Sequence, residues 1–207
     1  MVALNFNAHA LAFEPGLDTI EQGYEAAVSG ITQEINRKKA AFYDYSRHIE
    51  NGGEPTGERD DDGVLIWSQD QLLQGTIFVA EEALMSLRKA YAVAIYHHWE
   101  RSALQWTNRK NEKHDVLARR VLAMGYPIDP HLHVVRDLAN LLKHDNDRWG
   151  LKLHESWPDV FPANFRPPLD GARSVNWYDR VALSANHIKS IMKTVRASGP
   201  NNPPMEF

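Results

Sequence analysis

Two long stretches of apolar residues recurring at three- and four-residue steps constrain this chain more than any other feature of its sequence. In the first, Leu17, Ile20, Tyr24, Ala27, Val28, Ile31, Ile35, Ala41 with Phe42, and Tyr45 fall on one side of a 3.6-residue helix, which predicts a single helix from Leu17 to Glu50 after a short arm ending at Gly16. In the second, Leu72, Leu73, Ile77, Val79 or Ala80, Leu84, Leu87, Tyr91, Ala94, Ile95, Trp99 and Leu104 predict a helix from Asp70 to Trp106. Each is about 50 Å long at 1.5 Å per residue, and two such lengths joined by a loop pack as an antiparallel pair. The joining run, NGGEPTGERDDDG, is polar, acidic and glycine-rich, with no strand expected beyond Val64 to Trp67. Gly23 and Gly30 each cost about 1 kcal/mol in a helix interior relative to alanine, so they are expected to mark close approach of a neighbouring helix.

Shorter elements follow. His114 to Met124 reads as a helix closed by Gly125 and Pro127, and a fourth runs from Pro130, capped by Asp129, to Asp145. Residues 146–174 carry Trp149, Trp157, Phe161 and Phe165 among Pro158, Pro162, Pro167 and Pro168, which reads as an ordered, non-helical excursion packed on the bundle. Asn176 to Ala197 reads as the last helix, and SGPNNPPMEF as a loose tail. The expected architecture is all-α: one domain over residues 1–197, about five helices, and a flexible tail at 198–207.

Composition narrows the chemistry. The 207 residues include no cysteine, which removes disulfides, thiolate metal sites and a cysteine nucleophile, and suits a reducing cytoplasmic compartment. No basic, apolar and cleavable leader is legible at the N-terminus, and no run approaches the roughly 18 apolar residues of a membrane span. A net charge of −4 argues against nonspecific binding along a nucleic-acid backbone, while leaving room for a local basic pocket. There is no nucleophile elbow and no glycine-rich phosphate loop.

The segment VVRDLANLLKHDNDRW is the richest in chemistry. With Arg136 at zero and about 100° per residue, Asn140 falls near 40°, Lys143 near −20° and His144 near 80°. All four polar heads share an arc of about 100°, with Asp137 at its edge, while Val134, Leu138, Leu141 and Leu142 lie opposite as the core stripe. A solvated outer face accounts for lysine and histidine close to a helix C-terminus, where the macrodipole favours cations. It does not account for asparagine, which costs helix propensity and adds nothing to solubility that glutamate would not. Arginine to hold a phosphate, histidine to move a proton and asparagine to orient one of them form a coherent set for phosphodiester chemistry.

The run from Arg136 to His144, Arg-Asp-Leu-Ala-Asn-Leu-Leu-Lys-His, resembles the signature helix of the HEPN superfamily (higher eukaryote and prokaryote nucleotide-binding), and Tyr91 to Glu100 resembles the long core helix of such bundles. The resemblance implies a small helical bundle of the kind found in prokaryotic toxin–antitoxin and phage-defence systems. Many members are metal-independent ribonucleases, in which an arginine, often followed by a polar residue, and a histidine after four to six intervening residues meet a second copy across a dimer interface. It therefore implies Arg136 and His144 as catalytic residues, Asp137, Asn140 and Lys143 as substrate-binding residues, RNA as substrate, a homodimer, and no metal or cofactor. Seven residues separate Arg136 from His144 here, outside the usual spacing, although both share a helix face. The alternative from a different class is a non-catalytic helical interaction module, regulatory in a defence or toxin–antitoxin operon, with an antitoxin or operon partner.

Other residues carry less. His97 and His98 lie near Glu81, Glu82 and Glu100, but the Glu-x-x-His pattern of di-iron bundles does not occur, and core or interface histidines are expected. His131 and His133 project to different sides of a helix and are expected at the surface. Trp149, Trp157 and Trp177, with Arg148 and Arg166, suit stacking on bases or on a partner protein, though most tryptophans are expected in the core.

Overall fold

The computed structural model describes residues 7–167 and 175–200. Of the described residues 71% are helical, with one two-stranded sheet, and the all-α class is as expected. Seven α-helices lie within the described residues: α1 Ala8–Glu50, α2 Gln69–Trp106, α3 His114–Ala123, α4 Leu132–His144, α5 Asp147–Ser156, α6 Trp177–Arg180 and α7 Ala185–Arg196. Strands β1 (Gly57–Arg59) and β2 (Leu65–Ser68) pair antiparallel between α1 and α2, with a bulge after Glu58. Pro168 and residues 201–207 of the expected tail lie outside the described residues.

The chain divides into two compact units, one formed by residues up to Gly23 together with those from Arg88 onward, the other by Tyr24–Leu87. Helices α1 and α2 each run through both.

The hairpin unit, Tyr24–Leu87, is two helices and a β-turn. On α1 the covered side chains include Tyr24, Val28, Ile31, Ile35, Lys38, Phe42, Tyr45 and Ile49, alternating steps of four and three. On α2 they include Leu73, Ile77, Ala80, Leu84 and Leu87, with the same alternation, so the seam has coiled-coil spacing. Lys39 Nζ lies 2.7 Å from Glu81 Oε1 across it. Leu72 and Val79, both candidates for the buried stripe of α2, are exposed instead, because a two-helix ribbon covers only one face of each helix. At the tip, Asp60 Oδ1 accepts hydrogen bonds from the amides of Asp62 and Val64, and Gly63 adopts a positive φ of 78°, closing the β-hairpin that the acidic run conceals.

The larger unit holds the core. Phe13, Leu17, Ile95, Trp99, Leu117, Leu138, Leu141, Leu153, Trp177 and Ile191 are all essentially inaccessible. The first correction is at the N-terminus, where α1 begins at Ala8 and passes through Pro15 and Gly16 rather than starting after them. Ala10, Phe13 and Leu17 repeat at helical steps and are buried, and that burial outweighs the hydrogen bond proline removes. Gly16 has its own reason: a Cβ there would sit 2.2 Å from His98 Cε1. The second correction is α5, a helix where only an irregular excursion was expected. Asn146 caps it, its side chain accepting from Trp149 N, and Gly150 lets it press against Trp177, whose ring a Cβ would strike at 2.0 Å. The third is the last helix, which breaks into α6 and α7 across Val181–Ser184, since Ser184 and His187 form a reciprocal capping box that starts α7. The fourth is the tail. Ser198 is fully buried and accepts from Trp99 Nε1 through its carbonyl, so the chain stays packed through Pro200.

Candidate functional site

Helix α4 packs on α5, α6 and α7, and its amphipathicity is what the sequence demands. Val134, Leu138 and Leu141 are buried, and the polar face looks away from them. The helix ends at Asp145 in the left-handed region, φ 41°, and two residues later α5 begins, folding back on α4. Asp145 Oδ1 accepts from Tyr178 N, and Asp147 Oδ1 from Trp177 Nε1 at 2.6 Å, which fixes the turn against α6.

The five expected site residues separate into two groups. Arg136 and Asp137 form an enclosed ion-pair network. Asp137 is 0% exposed, Arg136 only 13%. Arg136 Nε and Nη2 both approach Asp137 Oδ1, at 2.9 and 2.7 Å. Lys152 Nζ of α5 lies 2.7 Å from Oδ2, at an angle that makes it an ion pair rather than an aligned hydrogen bond. Arg136 Nη1 donates at 2.8 Å to Asp115 Oδ1 of α3, whose side chain is 78% exposed. The buried carboxylate thus orients the guanidinium, and one edge of it reaches the surface through an exposed partner. Asp137 is not the half-turned polar residue at the edge of the face that the helical wheel suggests. The fold-back of α5 covers it, and two cations neutralise it.

Asn140, Lys143 and His144 form the second group. Asn140 is half-buried, Lys143 and His144 are exposed, and among the described residues none of the three makes a hydrogen bond or ion pair. Arg136 and His144 are eight residues apart, about 12 Å along the helix at 1.5 Å per residue, and the Arg136 guanidinium is directed to Asp137 and Asp115.

The network continues through residues that the sequence reading missed. His114 and Tyr96 share a hydrogen bond of 3.0 Å between Nδ1 and the phenolic oxygen. Burial, then the Arg136 charge, lower the His114 pKa to about 4, so its ring is neutral at neutral pH and has no proton to donate as a general acid. Burial and the Glu100 carboxylate raise that of Tyr96. Trp149 takes three cations around its ring, with Arg136 Cζ, Arg148 Cζ and Lys152 Nζ at 5.9, 5.1 and 5.7 Å from the centroid. The available signal was the pair Trp149 and Lys152, three apart on a helix that proline-rich surroundings hid.

Several of the other histidines have local partners. His98 Nε2 donates to Phe13 O at 2.9 Å with its ring stacked on Phe13, and burial lowers its pKa. His97 pairs with Glu100 at 2.8 Å, and His133 Nδ1 bonds Pro130 O at 2.6 Å. Among the described residues no group of three or more His, Cys, Asp or Glu is placed to hold a metal. A cleft of about 520 Å³ opens beside the start of α4, lined by Asp129, His131, Val134, Trp157, Lys193 and Thr194, and none of the five expected site residues lines it. No helix among the described residues is long and apolar enough to cross a membrane.

Compared with protein-family models, curated proteins and solved structures, the chain has no match.

Proposed function

We propose that this chain is a HEPN-like, metal-independent endoribonuclease of the cytoplasm, acting as a toxin or phage-defence effector, with a second copy completing its site. The observation that carries the reading is the C-terminal half of α4, where the side chains of His144, Lys143 and Asn140 share a face and pair with no other described residue. In the reaction the ribose 2′-oxygen attacks the adjacent phosphorus and the 5′-oxygen leaves, giving a 2′,3′-cyclic phosphate and a 5′-hydroxyl. His144 takes the 2′-proton or gives one to the leaving oxygen, Lys143 offsets charge on the phosphorane, and Asn140 orients the imidazole. Arg136 enters as a phosphate ligand through Nη1, by exchanging exposed Asp115 for a phosphate oxygen, while Asp137 keeps the guanidinium aimed. Since the two residues are about 12 Å apart along one helix, the phosphate is held by Arg136 of one copy and served by His144 of the other.

One observation favours a second reading. Nε, Nη1 and Nη2 of Arg136 all face carboxylates, as in a structural ion-pair network, and this suits a non-catalytic interaction module with a regulatory partner. The test is RNA cleavage by the purified chain in excess chelator. A nuclease cleaves, and His144→Ala removes cleavage while leaving the melting temperature within about 2 °C, as expected for an exposed side chain. Absence of cleavage by the wild type, or full activity in His144→Ala, refutes the catalytic reading.

A further inference from the structure

The cleft of about 520 Å³ beside the start of α4 lies within the larger unit, where residues of α4, the C-terminal end of α5 and α7 meet. Its volume falls in the roughly 300–1,000 Å³ range of small-molecule sites. The floor is aliphatic. Val134, Val135 and Ile191 are buried, so the core holds their side chains in place. Trp157, which caps the C-terminal end of α5, is half-buried and supplies an aromatic wall, its ring set T-shaped against His187 at 5.5 Å between centroids. The rim is polar, and its charges are uneven. Asp129 and His131 satisfy each other: His131 Nδ1 lies 3.3 Å from Asp129 Oδ1, and the His131 amide donates to the same oxygen at 2.7 Å. Ser156 returns its hydroxyl to Lys152 O at 3.0 Å. Four other groups on the lining have no partner among the described residues: the Lys193 ammonium, the Ser190 and Thr194 hydroxyls one turn apart on α7, and the Trp157 indole N–H.

We propose that this cleft is a binding site for a small, flat aromatic molecule carrying a short acidic arm. Charge selects the sign. Of the three charged residues on the lining, Asp129 and His131 face each other, which leaves Lys193 to be compensated by whatever enters. A cationic ligand would repel it, and a neutral one would forgo a charge-assisted hydrogen bond. Hydrogen bonding selects the same head group. An ammonium and an indole N–H donate and cannot accept, and both hydroxyls can rotate to donate, so the set matches carboxylate oxygens. The body of the ligand is selected by the floor and the wall. Three buried aliphatic side chains beside an indole favour a ring system over a sugar or a polar chain, whose hydroxyls would lose water there without gaining partners. Such a ligand touches α4, α5 and α7 together and so stabilises the folded chain by mass action. None of the five residues assigned to RNA chemistry lines the cleft, and the site stands independently of RNA cleavage.

The test is titration of the full, isotope-labelled chain with indole-3-acetate, and in parallel with indole-3-acetamide, which has the same ring and arm without the charge. A fragment of this size in such a site binds with a Kd on the order of 1 mM. Indole-3-acetate should shift the amide resonances of His131, Trp157 and Thr194 saturably, and at about ten times Kd it should raise the melting temperature by roughly 3–6 °C. Indole-3-acetamide should bind about tenfold more weakly, the loss of one charge-assisted contact. Lys193→Gln, at an exposed position that leaves folding intact, should remove that difference and leave the acetamide unaffected. Ser190→Trp, also at an exposed position of α7, should fill the cleft and abolish both. No saturable shift at those three amides by about 10 mM, equal affinity for the two probes, or a difference that survives in Lys193→Gln would overturn the assignment. His144→Ala should bind indole-3-acetate as the wild type does, so loss of cleavage and loss of this site are read separately.

Discussion

Replacing Arg136 with alanine separates a solvated helix face from the enclosed network described above. Asp137 is fully buried, and its carboxylate is compensated by Arg136 through two contacts to Oδ1 and by Lys152 through one to Oδ2. Removing one partner of a buried pair typically costs about 3–5 kcal/mol, because the remaining charge is left without compensation. Here Lys152 stays, 44% exposed and able to lean in, which brings the expected loss to about 2–4 kcal/mol. For a chain of this size each kcal/mol moves the melting temperature by roughly 2–4 °C, so Arg136→Ala should melt about 4–16 °C lower. The double variant Arg136→Ala/Asp137→Ala should recover part of that loss, since it removes the orphaned charge as well. Thermal melts followed at 222 nm at pH 7 measure both. An Arg136→Ala melt within about 2 °C of wild type, or a double variant less stable than the single by the full cost of Asp137, would show that the network does not hold α3, α4 and α5 together.

Two further outcomes follow from the same site. His114 has its folded pKa lowered from 6.5 to about 4, so between those values the unfolded chain binds the extra proton; its contribution is fully present above pH 6.5 and is lost as pH falls toward 4, on the order of 3 kcal/mol in all. Melting temperature measured from pH 7 to 4.5 should fall less steeply in His114→Gln, and an unchanged slope would contradict the burial of that imidazole. Asp115→Ala removes an exposed ion pair worth about 0–1 kcal/mol and should barely alter stability, yet frees Arg136 Nη1 for an anion. Binding of a fluorescent RNA oligonucleotide should tighten several-fold in that variant at low salt, and unchanged affinity would leave Arg136 a purely structural residue.

The sequence was most legible where one helix buries one stripe. Val134, Leu138 and Leu141 are buried as the wheel places them, and α1 and α2 end within a residue of the expected Glu50 and Trp106. Illegibility begins where a second element decides the environment. Asp137 lies at the edge of a polar arc on the wheel, and only the fold-back of α5 turns it into a buried carboxylate. That fold-back was hidden because prolines at 158, 162 and 167 made the whole stretch read as irregular, whereas the Asn146 cap and Gly150 fit needed Trp177 to be seen. Pro15 misled in the opposite direction, since the burial of Phe13 and Leu17 carries the helix through it. On α2, Leu72 and Leu73 and then Val79 and Ala80 are adjacent alternatives for one stripe. A helix apolar on more than one side gives no single direction to choose, and a hairpin of two helices satisfies only one of them.

The division of α4 into two halves bears directly on what its polar residues can do. Towards its N-terminal end, α3 and α5 surround Arg136 and Asp137, and charge there is balanced within the chain, so those groups act on a ligand only by trading a partner. Towards its C-terminal end the polar face is exposed, and Lys143 and His144 sit in the last turn, where unsatisfied carbonyls favour positive charge. His114, by contrast, is buried, and burial favours its neutral ring. The two histidines therefore suit different tasks. In the proposed reaction His144, exposed at the surface, is the proton-transfer group, whereas His114 holds Tyr96 and the α3 end of the network in place. That asymmetry, rather than the spacing between Arg136 and His144, is what makes the C-terminal turn of α4 the place to look for chemistry.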